Sequence, residues 1–288
     1  MQVLVFGQTG QVATELARKV PVDVSMSSLG RADADLSQPE TCYAAIMDMR
    51  PDLVINAAAY TAVDKAEEER ELAFLVNESA PAEMAKAAAN QKIPLLHIST
   101  DYVFEGSGTL PWKPEDPKGP LGIYGQSKLN GEMAIQHSGC QHAIIRTSWV
   151  FSAHGANFVK TMLRLSDTRD RLTIVADQIG GPTAAADIAE TLWKMAERWG
   201  QGNGKTGVFH LSGAPNVSWA DFAREIFAQA GRSVDVVGIP SSEFPTPAQR
   251  PGNSRMDGSS LLAAYDIPQP DWRKSLTDVL KELKELKQ

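Results

Sequence analysis

Cysteine is scarce in this chain: Cys42 and Cys140 are the only two among 288 residues. Two thiols so far apart supply neither a disulfide framework nor a four-ligand zinc site, and they suit a reducing compartment. No apolar run approaches the ~20 residues needed to span a bilayer. The chain enters a strand pattern at Gln2 without the basic flank and cleavage site of a signal peptide. Positive charge is also in deficit: 28 Lys and Arg against 35 Asp and Glu give a formal net charge of −7 and a pI near 5.3. A nucleic-acid binder would carry a basic face, so that class of partner is argued against. The five histidines show no metal-ligand spacing, and none stands with a serine or cysteine in a hydrolytic arrangement. These gaps leave a cytoplasmic protein with no membrane or nucleic-acid partner and no assigned metal ligand. A length of 288 residues, 43% of them hydrophobic, suits one nucleotide-binding domain with a smaller companion.

What is present is an alternation of short apolar runs and helical stretches. Val3–Phe6, Val22–Ser27, Leu53–Asn56, Leu95–Ser99 and Ala143–Arg146 read as strands. Between them Thr14–Lys19, Gln38–Met49, Leu72–Asn90 and residues 121–138 read as helices. Strands separated by helices in this order predict an α/β fold with a doubly wound, Rossmann-like parallel sheet. After residue 150 the alternation loosens. Helices are expected over Asn157–Leu165, Ala184–Trp199, Ser218–Ala230 and Leu276–Leu286, and strands over Leu172–Ala176 and Val208–Leu211. The division that follows is a nucleotide-binding domain over 1–150, joined by 176–207, with a smaller C-terminal substrate-binding α/β region over 151–175 and 208–288. The proline-rich stretch Pro240–Pro251 lacks periodicity and suits a lid or wall over a cleft.

The first strand stops at Gly7-Gln8-Thr9-Gly10-Gln11-Val12-Ala13. Glycines belong where the chain turns sharply and where backbone approaches a pyrophosphate. The helix N-terminus behind them directs N–H groups and a partial positive charge at the phosphates. Gly7, Thr9, Gly10, Gln11 and Val12 are therefore cofactor-binding candidates. The spacing is Gly-x-x-Gly-x-x-Ala, with Ala13 small enough for close helix–strand packing. An acid at the end of the second strand usually holds the adenosine ribose. Here Ser27-Ser28-Leu29-Gly30-Arg31 offers an arginine instead, which favours the 2′-phosphate of NADPH and leaves NADH open. Asp35 and Leu36 follow, with a carboxylate suited to the adenine amino group. Ala57, Ala58 and Ala59 end the third strand and let a cofactor lie across the sheet.

Tyr124 and Lys128 stand four residues apart, one above the other on a helix face. A neighbouring cation favours the phenolate and would lower the phenol pKa toward neutrality, where it can exchange a proton with a carbonyl or hydroxyl. The set formed with Ser99-Thr100-Asp101-Tyr102-Val103-Phe104 and Arg146-Thr147-Ser148-Trp149-Val150-Phe151 resembles the extended short-chain dehydrogenase/reductase family. Four further strings narrow the resemblance to its dTDP-4-dehydrorhamnose reductases: Ala62–Glu67, Asn157–Met162, Asp177–Thr183 and Arg250-Pro251-Gly252-Asn253-Ser254-Arg255. The likeness runs from Gly7 to Arg255.

The resemblance implies reduction of dTDP-4-dehydro-β-L-rhamnose to dTDP-β-L-rhamnose by NAD(P)H, the last step of dTDP-L-rhamnose synthesis, by a monomer or homodimer. Tyr124 would be the general acid, Lys128 would bond the nicotinamide ribose, and Thr100 would position phenol and substrate oxygen. Thr61, Val63, Asp101 and Trp149 match positions that touch the sugar nucleotide, with core packing an equal reading for Trp149. Arg250, Asn253 and Arg255 are substrate-binding candidates; the guanidinium forks of Arg250 and Arg255 fit diphosphate oxygens. Some members hold magnesium at a subunit interface. In this chain the helix reads Ala184-Ala185-Ala186-Asp187-Ile188, without the carboxylate expected at Ala186, so Mg2+ is not supported. Two alternatives stay open: an NADP-binding regulatory subunit without turnover, and another dTDP-sugar reductase or epimerase. A 4,6-dehydratase would show Asp-Glu after the threonine, whereas Thr100 is followed by Asp101-Tyr102. His97, inside the fourth strand, reads as a satisfied core residue.

Overall fold

The structure, a computed structural model, describes residues 1–285. In chain order the first half contains β1 (Gln2–Phe6), α1 (Gln11–Arg18), β2 (Ser25–Leu29), α2 (Pro39–Met49), β3 (Leu53–Asn56), α3 (Val63–Ala66), α4 (Arg70–Phe74), α5 (Ala80–Gln91), β4 (Leu95–Thr100), α6 (Ile123–His137) and β5 (His142–Thr147). The second half adds β6 (Val150–Phe151), α7 (Phe158–Ser166), β7 (Arg171–Val175), β8 (Ile179–Gly180), β9 (Thr183–Ala184), α8 (Ala185–Gly200) and β10 (Gly207–His210). It closes with β11 (Val217–Ser218), α9 (Trp219–Ala230), β12 (Asp235–Ile239), β13 (Asn253–Ser254), α10 (Ser259–Tyr265) and α11 (Trp272–Leu283). Among the described residues no helix is long and apolar enough to cross a membrane.

Six parallel strands form the main sheet in the order β10-β5-β4-β3-β1-β2. β3 and β5 are buried at every position, as expected of strands covered on both faces. On one face Val3, Val5, Ile55 and Ile145 pack with Leu16 of α1 and with Ile188, Leu192 and Met195 of α8. On the other, Leu4, Phe6, Val54 and Ile144 pack with Ile46 of α2, Met84 of α5 and Ile135 of α6. Each such aliphatic side chain contributes about 1.5–3 kcal/mol on full burial, so the sheet is clamped from both sides. The order reverses between β1 and β3, since β2 lies on one side of β1 and β3 on the other, and the cleft opens at the carboxyl ends there.

Three expectations need correction. The second strand starts at Ser25, because Val22 lies fully exposed in the preceding turn. The helix expected over Leu72–Asn90 is interrupted by a π-helical turn at Leu75–Ser79, a widening that often marks functional positions. The strand expected within the substrate-binding region, here β10, instead pairs in parallel with β5 as the edge of the main sheet. α10 follows it there, placing Leu261 and Tyr265 in the core beneath α8. The remainder of the second half has its own core, in which Val159 of α7, Leu172 and Ile174 of β7, Phe222 and Ile226 of α9, Val236 of β12 and Leu276 of α11 meet. β12 escaped the sequence reading; it pairs in parallel with β7.

One buried ion pair fastens α6 to β5. Arg146 Nε donates to Glu132 Oε1 at 2.9 Å and Nη2 to Oε2 at 2.6 Å. Both side chains are withdrawn from water, and the guanidinium also donates to the Pro114 carbonyl and lies over the Phe104 ring. The pair therefore tethers the long loop that follows β4 and lies beside the cleft. Glu132→Gln keeps the shape but leaves a buried guanidinium uncompensated. A loss of about 3–5 kcal/mol in urea unfolding is expected; a loss within about 0.5 kcal/mol would show that the pair carries no such role.

Candidate functional site

A cleft of about 720 Å³ runs along the carboxyl ends of β1 to β5. Its size is that of a ligand pocket. At one end Gly7, Thr9, Gly10, Gln11 and Val12 line it. Gly7 has φ +120°, a conformation that favours glycine, and a Cβ there would sit 3.3 Å from Ala13 Cβ. This contact explains why alanine suffices at position 13. Gly10 caps α1 with no side-chain acceptor, so the first amides of the helix remain available to an anion. The residues present thus fit a dinucleotide diphosphate. Arg31, Asp35 and Leu36 line the same wall. Asp35 Oδ1 accepts from Ser37 N at 2.9 Å and Ser37 Oγ at 2.8 Å, and these bonds hold its pKa below the usual carboxylate value. The sequence reading missed Gln8 and Gly30 on this wall; the Gln8 amide donates to the Ser28 carbonyl at 3.0 Å.

Ala57, Ala58 and Ala59 form the cleft floor after β3. Buried Asn77, in the π turn, fixes this floor to α6. Its Oδ1 accepts from Tyr60 N at 2.9 Å, while Nδ2 donates to Tyr60 O at 3.0 Å and to Ser127 Oγ at 3.1 Å. Nothing in the sequence marked Asn77, since its partners are 17 and 50 residues away.

Tyr124, Lys128, Thr100 and Asp101 line the cleft together, with Thr61, Val63 and Trp149 beyond them. Gly125 makes the Tyr124 placement achievable: a Cβ there would stand 2.2 Å from the Tyr102 carbonyl oxygen. Only glycine lets α6 lie so close to the turn after β4. Tyr102 in turn meets Tyr124 edge-on, with ring centroids 5.4 Å apart. Trp149 is at once wall and core. It takes φ 50° and stacks on Trp219 with centroids 3.6 Å apart.

The electrostatics differ from the sequence reading. Burial pushes the Tyr124 phenol above the usual tyrosine pKa, and the Thr100 hydroxyl beside it only moderates the rise. Lys128 does not bring it toward neutrality, because the lysine amine is directed into β4, donating to the Ile98 carbonyl at 2.7 Å. Lys128 is itself buried, and desolvation lowers its pKa to about 8. Asp101 is raised to about 6 by burial, a rise that the Ser254 and Thr100 hydroxyls beside it moderate.

Three substrate candidates do not line the cleft. Arg250 Nη2 is paired with Asp64 Oδ2 at 2.7 Å, and its Nη1 reaches the Tyr102 hydroxyl at 3.5 Å. Buried Asn253 donates to the carbonyls of Ser107 and Leu110, and Arg255 Nη1 donates to Asn253 Oδ1 at 2.9 Å. Asn253 and Arg255 therefore hold the loop after β4. The Pro240–Pro251 segment is fastened by Asp64, which also accepts from Ala248 N.

The helix that carries Asp187 offers no vacant carboxylate set. Asp187 Oδ2 accepts from Ser275 Oγ at 2.7 Å, and Glu190 pairs with Lys194 at 2.9 Å. Glu15, His154 and Glu282 do converge nearby. Arg18 Nη1 stands among them, 3.1 Å from Glu15 Oε1 and 2.8 Å from Glu282 Oε1. A guanidinium thus supplies the positive charge, and the donor set does not fit a divalent cation.

A glycine turn, a floor of alanines and a tyrosine–lysine helix converging at the switch point of a parallel sheet define a dinucleotide-dependent oxidoreductase of the extended short-chain type. A family model described as the RmlD substrate binding domain matches residues 1–285, and the chain belongs to that family. It is 44% identical to a dTDP-4-dehydrorhamnose reductase of Sinorhizobium fredii, covering 96% of this chain and 95% of the relative. It is 38% identical to the Salmonella typhimurium enzyme of the same name, over 98% of both. The crystal structure of a dTDP-4-dehydrorhamnose reductase from Bacillus anthracis in complex with NADP superposes with a TM-score of 0.92 at 32% identity, covering 98% of this chain and 99% of that one.

The glycine turn yields a direct test. A Cβ at Gly10 meets nothing within 4 Å, and aspartate is a favoured N-cap. Gly10→Asp should therefore fold normally while placing a carboxylate where the diphosphate must sit. NADPH affinity, followed by its fluorescence, should fall at least about tenfold, equivalent to ~1.4 kcal/mol, with Tm unchanged or raised. Unaltered affinity would remove the helix start from the binding site.

Proposed function

We propose that this chain reduces dTDP-4-dehydro-β-L-rhamnose to dTDP-β-L-rhamnose with NAD(P)H, completing dTDP-L-rhamnose synthesis. The observation that carries the reading is the convergence of Tyr124, Thr100 and Lys128 in one cleft whose far end is a phosphate-receiving glycine turn. When bound, the reduced nicotinamide supplies the hydride. Negative charge then develops on the C4 oxygen of the sugar, and a donor must be aimed there.

Tyr124 is assigned that donor role. Its raised pKa suits the direction of reaction, since a phenol that resists ionisation remains charged with its proton throughout the neutral range. Thr100 is assigned to orient the phenol and the substrate oxygen; its backbone ends β4 and its hydroxyl donates to Asp101 Oδ1 at 3.0 Å. Lys128 is assigned to the nicotinamide ribose hydroxyls. Asp101, which lines the cleft beside Thr100, is assigned to the sugar nucleotide. Thr61, Val63 and Trp149 are assigned to the sugar nucleotide. Arg250 does not line the cleft and would have to leave Asp64 to reach a diphosphate; Asn253 and Arg255 are assigned to shaping the loop. Arg31, in place of an acid after β2, supports NADPH as the preferred cofactor. The two buried free thiols, Cys42 and Cys140, agree with a cytoplasmic setting.

The reading is tested by following NADPH absorbance with dTDP-4-dehydrorhamnose supplied; binding of NADPH without its consumption would refute it. Tyr124→Phe should lower turnover by roughly a hundredfold or more, the scale of a general acid, with NADPH affinity retained. Near-normal turnover would exclude Tyr124 as the donor. Arg31→Glu should raise the KM for NADPH far more than that for NADH, and equal effects would defeat the assignment of Arg31 to a 2′-phosphate.

A further inference from the structure

Lys128 is buried beside a second nitrogen base. Its Nζ is 3.2 Å from His97 Nε2 as well as 2.7 Å from the Ile98 carbonyl oxygen. The other ring nitrogen, His97 Nδ1, is 3.1 Å from Asn56 Nδ2. Asn56 cannot be turned over without cost, because its Oδ1 accepts from Ala58 N at 3.1 Å. These three contacts determine where protons can reside.

A neutral imidazole has one donor and one acceptor nitrogen. If Asn56 Nδ2 donates to Nδ1, then Nδ1 is the acceptor and Nε2 carries the hydrogen. Nε2–H then points at Lys128 Nζ. A neutral amine accepts that hydrogen through its lone pair, and every group in the chain is satisfied. An ammonium has no lone pair and would face the N–H donor to donor. Moving the imidazole proton to Nδ1 transfers the conflict to Asn56, and flipping Asn56 transfers it to Ala58 N. A charged Lys128 thus leaves one donor–donor contact somewhere in the chain, whereas a neutral one leaves none. A buried donor–donor conflict costs at least as much as an unmade hydrogen bond.

We propose that His97, held by Asn56 with its proton on Nε2, is a positioning residue that sets the protonation state of Lys128. Lys128 is the contact through which it acts, and His97 itself does not line the cleft. From β4 the groups facing Lys128 are His97 and the Ile98 carbonyl. On its own helix Glu132 is the charged group that acts on it, and that carboxylate is committed to Arg146. Tyr124 and Asp101 are the other titratable groups of this part of the cleft. Both the burial of Lys128 and that of His97, whose pKa is driven well below that of free histidine, act in the same direction. The lysine therefore exchanges a proton close to working pH instead of serving as a fixed positive charge. The functional consequence rests on the reductase reading above, whereas the tautomer does not.

Nitrogen-15 NMR of the labelled protein at pH 9 reads the tautomer directly. His97 should carry its hydrogen on Nε2, and an Nδ1–H form at that pH would overturn the proposal whether or not the chain turns over substrate. The second arm is the pH profile of kcat/KM for NADPH-dependent reduction. The intact protein should lose activity through an alkaline limb near the Lys128 value of about 8. His97→Gln can turn a carbonyl oxygen toward the ammonium and should move that limb upward by about one pH unit or more, a tenfold shift in the lysine equilibrium. Asn56→Ala releases Nδ1, lets His97 accept from Lys128, and should move the limb in the same direction. If both variants fold and the limb stays in place, His97 does not govern Lys128.

Discussion

The close approach of α6 to the turns beneath it is the constraint on which the site depends. Gly125 lies against the Tyr102 carbonyl and Gly131 against the Asn77 carbonyl, each at a distance that no Cβ could occupy. Those two glycines let one helix rest on the end of β4 and on the π turn at once. The first contact sets Tyr124 beside Thr100 and Tyr102. The second lets Asn77 bond both to Ser127 and to the backbone after β3. The Tyr124 phenol, the strand end and the alanine floor are thereby fixed by packing that allows little adjustment, which is how a site keeps its geometry within the tolerance that chemistry requires.

A second principle is the way charge is buried. Arg146 and Glu132 are removed from water as a matched pair, with the arginine Nη1 also reaching a carbonyl and an imidazole. Lys128 is removed from water without a carboxylate of its own. The first arrangement holds a loop in place, and the second leaves a base whose proton is loosely held. Lys128 and Glu132 share one helix, four residues apart, with Glu132 bonded to the arginine and acting on the lysine only through space. The position of the acid decides which cation remains permanently charged.

Much of this was legible from residue order. The first strand, the glycine turn, the alanine floor, Thr100-Asp101 and the Tyr-x-x-x-Lys helix depend on local patterns, and the residues in them converge on one cleft. What was not legible depends on distance. Val208 belongs to the main sheet because it pairs with Ile144, and no local feature of a short apolar run says which sheet it joins. β12 is a short strand containing Gly238, too brief for a period to emerge. Arg250 looked free for a phosphate until Asp64, 186 residues earlier, was found against it. The direction of the Tyr124 shift was misjudged for the same reason. A spacing of four residues puts the lysine on the right face, but only the fold reveals that its amine turns toward His97 and that burial governs the phenol.

The path of the backbone through the main sheet has a consequence for how this protein is made. The first five strands are complete by Thr147, yet the helix covering one face and the edge strand beside β5 come from residues 185–210. Until those residues emerge, Val3, Val5, Ile55 and Ile145 have only α1 to shield them. During synthesis the nucleotide sheet therefore waits, half-clothed, while the intervening region of α7 and β7 leaves the ribosome. That delay is a window in which chaperone protection matters most, and a chain truncated near residue 150 would remain in it permanently.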